Sequence, residues 1–184
     1  MQLSQGAICA GHVNLILADG AKLTATGIQD YSDYPNYIFT PGIQVSGAGN
    51  SLTIYGQTAQ TGILKAKGWD GNAGIGGGEG CSGSNITING GTVTANGTGS
   101  AAGIGGGSQG DGSNITINGG TVTAIGCCGI GGGQKGCGSY ITINGGTVTS
   151  IGGNTGAGIG GGPQGDGSNI TINGGTVTAN GGRM

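Results

Sequence analysis

Charge is scarce in this sequence. Seven acidic and five basic residues among 184 leave a formal net charge of −2, far from the basic excess that binds nucleic acid irrespective of sequence, so no nucleic-acid partner is expected. The basic residues, Lys22, Lys65, Lys67, Lys135 and Arg183, are scattered along the chain and form no stripe in it. Aromatics make up 4%. With three prolines and no strict G-X-Y period, the 51 glycines do not spell collagen. No apolar run approaches the roughly 18 residues of a transmembrane helix, which excludes that mode of membrane insertion. The N-terminus shows no charged segment followed by an apolar one, so a secretion signal is absent or already removed. There is one histidine, His12, with Cys9 three residues before it and no third partner in view; a surface or coil-edge histidine is the expectation, not the base of a nucleophile. The five cysteines, Cys9, Cys81, Cys127, Cys128 and Cys137, have no zinc-like spacing, and their odd number leaves at least one unpaired.

What the chain has is repetition. NITINGGTVTAN at 85–96 returns in close copies beginning at Asn114, Tyr140 and Asn169, and GIGGG recurs at Gly74, Gly103, Gly129 and Gly158. Both markers step by 29, 26 and 29 residues, and the short repeat has lost residues only opposite 97–101, which marks a surface loop. Alternation at period two places Ile86, Ile88 and Val93 on one face and Thr87, Thr92 and Thr94 on the other. A single unit cannot bury its apolar face, but copies stacked in register can. Disorder, the other reading of so much glycine, is opposed by regularly placed isoleucines and valines that give the chain something to bury.

Each repeat offers three short strands: around Ala73-Gly74-Ile75, at Asn85 to Ile88, and at Thr92 to Ala95. That pattern predicts an all-β, right-handed parallel β-helix. Helix is a poor competitor, since glycine costs up to ~1 kcal/mol per residue in a helix interior and no stripe of period 3.6 is present. Upstream, Ile8, Leu15, Leu17 and Leu23 repeat the apolar order of Ile75, Ile86, Ile88 and Val93, as do Ile43, Leu52, Ile54 and Leu64. The expectation is one domain over 1–184. It has about six coils rising roughly 29 Å, two divergent (1–68, with an insertion at 29–41) and four regular (69–184).

Stacking turns the sequence into vertical ranks. Ile75, Ile104, Ile130 and Ile159 form one buried column; Ile88, Ile117, Ile143 and Ile172 a second; Val93, Val122, Val148 and Val177 a third. Cys128 aligns with Ala73, Ala102 and Ala157 and should fill a small interior slot. Cys81 and Cys137 fall two coils apart, roughly 9 to 10 Å, too far for a disulfide. Asn89, Asn118, Asn144 and Asn173 precede the Gly-Gly turn and predict an inward-turned asparagine ladder. Thr92 and Thr94, Thr121 and Thr123, Thr147 and Thr149, and Thr176 and Thr178 form two outward ranks, with Lys65 interrupting the rank above. These TxT pairs resemble the arrays of β-helical ice-binding proteins, and the resemblance implies an ice-binding face on those eight threonines. Threonine is also simply a favoured residue for exposed strands.

Composition changes sharply at 29–41, QDYSDYPNYIFTP, which holds Tyr31, Tyr34, Tyr37 and Phe39 with Asp30 and Asp33; Trp69 and Asp70 occupy the corresponding loop one coil on. Aromatic faces beside carboxylates suit a sugar, with rings against the apolar face of a pyranose and acids accepting from its hydroxyls. The alternative is a loop packed over a flank or an open end. Asp111 and Asp166 share one turn position with Cys137 between them. Two carboxylates at that separation would suit an inverting glycosidase, or calcium, the one cofactor such positions could take. Both lie in Gly-Asp-Gly turns, where aspartate normally bonds its own backbone. The GIGGG segments lack the GK[ST] and helix of a phosphate loop.

AGIGGG followed by SNITINGGTVTA resembles the repeats of β-helical bacterial surface proteins, over about 42–182. The resemblance implies an extracellular or cell-surface scaffold for adhesion or glycan contact, without catalytic residues. A polysaccharide lyase or hydrolase is the enzymatic alternative. The chain shows no signal peptide, wall anchor or appended module, which suggests a fragment of a longer solenoid. Its last repeat ends without a cap, so further coils, a partner or end-to-end self-association would cover the edge.

Overall fold

The structure, a computed structural model, describes residues 1–32, 35, 37–153 and 155–182. Three sheets wrap one core, each built from equivalent strands of successive coils and parallel throughout. The shortest sheet has six two-residue strands, typified by Ile75–Gly76. A second has six strands, typified by Gly83–Ile88, and a third has seven, typified by Thr92–Asn96. Six coils with three strands each account for all but the first strand of the third sheet, Gln2–Leu3, which pairs onto Lys22–Thr26.

The register is the one the repeats predict. Ile75 pairs Ile104, Ile88 pairs Ile117, and Val93 pairs Val122, in unbroken columns. In the middle coils these side chains are wholly buried, as is Cys128 in the alanine slot. The second coil also stacks as expected, Ile43 on Ile75, Leu52 on Ile86, Ile54 on Ile88 and Leu64 on Val93.

The first coil is shifted. Ala7, not Ile8, pairs with Ile43, and Ile8 is exposed. Val13 and Leu15 pair with Leu52 and Ile54, which leaves Leu17 beyond the expected register. The strand His12–Leu17 has three inward apolar residues at period two, so its apolar order alone could not say which two match an isoleucine pair. Leu17 is nonetheless buried, its methyl group lying where a side chain at Gly91 would have to go.

The asparagine ladder is present but faces outward. Nδ2 of Asn118 donates to Oδ1 of Asn89 at 2.7 Å, Asn144 to Asn118 at 2.7 Å, and Asn173 to Asn144 at 2.7 Å. Asn118, Asn144 and Asn173 are exposed. Each asparagine directly follows an inward isoleucine, so the pleat turns it out. Its backbone N–H still joins the coil before it, as in Asn118 N–H to the Ile88 carbonyl at 2.8 Å.

Apart from its inward isoleucine, the GIGGG flank has no side chains. A methyl group built on Gly76, Gly105 or Gly131 would overlap the carbonyl oxygen of the equivalent glycine one coil on. Backbone therefore packs on backbone along this corner, which leaves the functional variety of the molecule to the other corners and to the outward faces of the two longer sheets.

Candidate functional site: an aromatic corner on the divergent coils

The insertion at 29–41 leaves the third sheet at the end of Lys22–Thr26 and folds back as a hairpin, with Gln29 opposite Phe39 and Asp30 opposite Ile38. Its rings gather. Tyr31 lies edge-on to Tyr37 at 5.1 Å between centroids and to Phe39 at 5.4 Å, and Tyr37 to Phe39 at 6.4 Å. Such T-shaped contacts use the ring quadrupole and fix the rings relative to one another. The cluster is not sunk into the core: Tyr31 is 57% and Tyr37 43% exposed. Gln29 Nε2 donates to the Tyr31 hydroxyl at 2.7 Å. The Asp30 carboxylate accepts from the Ser32 amide at 2.8 Å, and hydrogen bonds from the Ser32 side chain and backbone hold its carboxyl below the usual range. Asp33 and Tyr34 lie outside the described residues.

Trp69 belongs to the same corner. Its N–H donates to the Thr40 carbonyl at 3.2 Å, and Gly27 N–H donates to the Lys67 carbonyl at 2.9 Å, so the hairpin base and the Trp69 loop are joined by backbone. The Lys67 ammonium sits 3.9 Å from the indole centroid, a cation–π contact. Buried Asn72 fixes the turn, its Nδ2 donating to the carbonyls of Trp69 and Asp70 and its Oδ1 accepting from Glu79 N–H. Asp70 is exposed, at φ 31°.

The eight threonines stand in two ranks on the third sheet, Thr92 on Thr121, Thr147 and Thr176, and Thr94 on Thr123, Thr149 and Thr178. On the other side of Thr94 come Lys65 and then Thr24.

The Gly-Asp-Gly turn at Asp111 bonds the neighbouring coils and not its own backbone. Asp111 Oδ1 accepts from the Cys137 amide of the next coil at 2.7 Å, and its own amide donates to Ser82 Oγ. Among the described residues no three of His, Cys, Asp or Glu gather as a metal would need. All five cysteines are free. Burial pushes the Cys128 thiol up to about 12, with Cys127 adding to the rise; its sulfur lies against the Ile130 and Gly160 carbonyls. His12 is exposed, with Nδ1 2.8 Å from Ser51 Oγ.

A family model described as a beta helix repeat matches at 86–108, 115–134, 141–163 and 170–182. The four regular coils match the beta helix repeat. Comparison with curated proteins and with solved structures found no match. Each matched segment begins at the first isoleucine of an ITI run, and the first three continue past the next GIGGG. The aromatic corner lies outside all four matched segments, with its hairpin on the divergent coils and Trp69 at the start of the first regular one.

Three features of the site escaped the sequence. Asn72 occupies the position of Ala101, Cys127 and Gly156, so a polar residue in a small-residue rank was the available signal. A second outward rank, Asn85, Asn114, Tyr140 and Asn169, takes a left-handed backbone, φ 50° to 58°, as a bulge that the sheet register skips. Asparagine tolerates that conformation and tyrosine rarely adopts it; the exposed Tyr140 is the exception within this rank. Third, three lysines that look scattered in the chain are gathered by the coil register, as developed below.

Proposed function

We propose that this protein is a non-catalytic carbohydrate-binding module of the extracellular surface type, and that the sugar is held at the aromatic corner of the first two coils. The observation that supports this most is the exposed three-ring cluster on a hairpin tied to the solenoid at its base. A soluble protein gains nothing in its core from rings kept in water, whereas a pyranose offers an apolar face to meet them. Asp30, its carboxyl held ionised by Ser32, is placed to accept from sugar hydroxyls. The Asp111 carboxylate caps a neighbouring amide, which supports the binding reading over the lyase or hydrolase.

A glycan array with the whole chain tests the reading. Binding is expected, and Tyr31→Ala or Tyr37→Ala is expected to weaken it about fivefold each, the equivalent of ~1 kcal/mol per ring contact. No binding to any glycan, or unchanged affinity in both variants, would sink the proposal.

The in-register threonine ranks favour a second reading, an ice-binding face. Thermal hysteresis separates the two. Under the carbohydrate reading the protein shows none above a control protein and Thr121→Tyr leaves glycan affinity unchanged; a freezing gap that vanishes in Thr121→Tyr would move the function to the threonine face.

A further inference from the structure

The chain has five basic residues, and the coil register puts three of them on one small area. Lys65 and Lys67 lie two apart on the strand Ile63–Lys67 and so project from the same face. Lys22 pairs with Ile63 on the neighbouring strand, and Thr24 and Thr26 pair with Lys65 and Lys67. Strand spacing puts Lys65 and Lys67 ~6.7 Å apart at Cα, with Lys22 one coil of ~4.8 Å and one such step away. Lys22, Leu23, Thr24, Ile63 and Lys65 border a depression of about 160 Å³. On an acidic protein this local cluster of positive charge is the exception.

None of the three charges is neutralised by an acid among the described residues. Lys67 is turned onto Trp69, and no carboxylate pairs with Lys22, Lys65 or Lys67 among the described residues. The nearest acid in sequence to Lys22, Asp19, is already taken by the amides of Ala59 and Thr61 at 3.1 and 3.2 Å. Like charges placed this closely destabilise one another modestly, and an anion relieves that. The area also adjoins the aromatic corner, because Lys67 and Trp69 are two residues apart and Trp69 is bonded to the hairpin base.

Resting on the carbohydrate reading, we propose that the ligand is an anionic glycan, whose carboxylate or sulfate groups are held by Lys22, Lys65 and Lys67 while a sugar ring meets the aromatics of the adjoining corner. Nucleic acid is the weaker fit. Three lysines on a face whose other residues are uncharged neutralise few phosphates, and the chain as a whole repels them.

Three polymers on one backbone make the test: dextran, carboxymethyl dextran and dextran sulfate, titrated against the whole chain by calorimetry, with single-stranded DNA as a fourth arm. The charged dextrans are expected to bind about tenfold or more tighter than dextran and to weaken as salt is raised. The stronger of the two names the anion. Lys22→Gln with Lys65→Gln, both exposed on the outward face of the sheet and clear of the Trp69 contact, should lose about tenfold toward the charged dextrans and nothing toward dextran, with an unchanged melting curve. Equal affinity for neutral and charged dextrans, or a double variant that binds as the parent does, overturns the anionic proposal while leaving glycan binding intact. No binding to any of the three dextrans overturns the anionic proposal and leaves the carbohydrate reading to the glycan array, and tighter binding of single-stranded DNA than of either charged dextran hands the face to nucleic acid.

Discussion

Gly105→Ala is expected to destabilise the protein by about 3–6 kcal/mol, a large part of the 5–15 kcal/mol typical of a folded domain. Gly105 sits at φ +129°, outside the regions open to residues with a Cβ, so the backbone strain alone is worth about 1–3 kcal/mol. An added methyl group would also overlap the Gly131 carbonyl oxygen of the next coil. That oxygen cannot step aside freely, because it accepts the Gly106 N–H at 2.9 Å. Moving it gives up a ladder hydrogen bond, about 0.5–1.5 kcal/mol, on top of overpacking of about 1–3 kcal/mol. Gly80→Ala is the control: its φ of +71° is also left-handed, but a Cβ there meets nothing within 4 Å, and about 1–2 kcal/mol is expected. Denaturant midpoints measure both. Equal losses in the two variants would show that backbone crowding at the glycine flank contributes nothing beyond conformation.

The same glycines explain why so much of the fold could be read from the chain. A rank of residues that admits no side chain, a rank of isoleucines and a rank of valines each state a position in the coil, and they recur together at one spacing. The copies therefore fix one another's register, from Ile75 on Ile104 to Val148 on Val177. In the first coil there is less to cross-check: HVNLIL has three inward apolar positions, and pairing settled on Val13 and Leu15. Facing was harder than register. The asparagines at 89, 118, 144 and 173 were expected inside, where amides need partners most, yet the pleat puts them outside and they satisfy one another there.

The candidate site was legible as composition and not as geometry. Tyrosines and aspartates crowded between two coils mark a place, but nothing local says that Gln29 pairs with Phe39 or that three rings will meet. Lys22 and Lys65 are more than forty residues apart and become near neighbours only when one coil is laid on the next, which a charge count along the sequence does not do.

The second large effect compares one position in two coils. Ile117 and Ile172 belong to the same column, with Ile54, Ile88, Ile117 and Ile143 fully buried and Ile172 52% exposed. Ile117→Ala removes methyl groups from the middle of the stack. Continuous hydrogen-bonded ladders on either side hold Ile88 and Ile143 a strand spacing away, so the coils cannot close on the vacancy. A loss in the upper part of the 2–5 kcal/mol range follows. Ile172→Ala uncovers side-chain surface that is already half in water and leaves no enclosed void, so about 1 kcal/mol or less is expected. The difference between the two denaturant midpoints is the quantity to read, since errors common to both variants cancel in it. If Ile172→Ala is as damaging as Ile117→Ala, the last coil is covered in solution, and the dependence of that loss on protein concentration then tells whether a second copy does the covering.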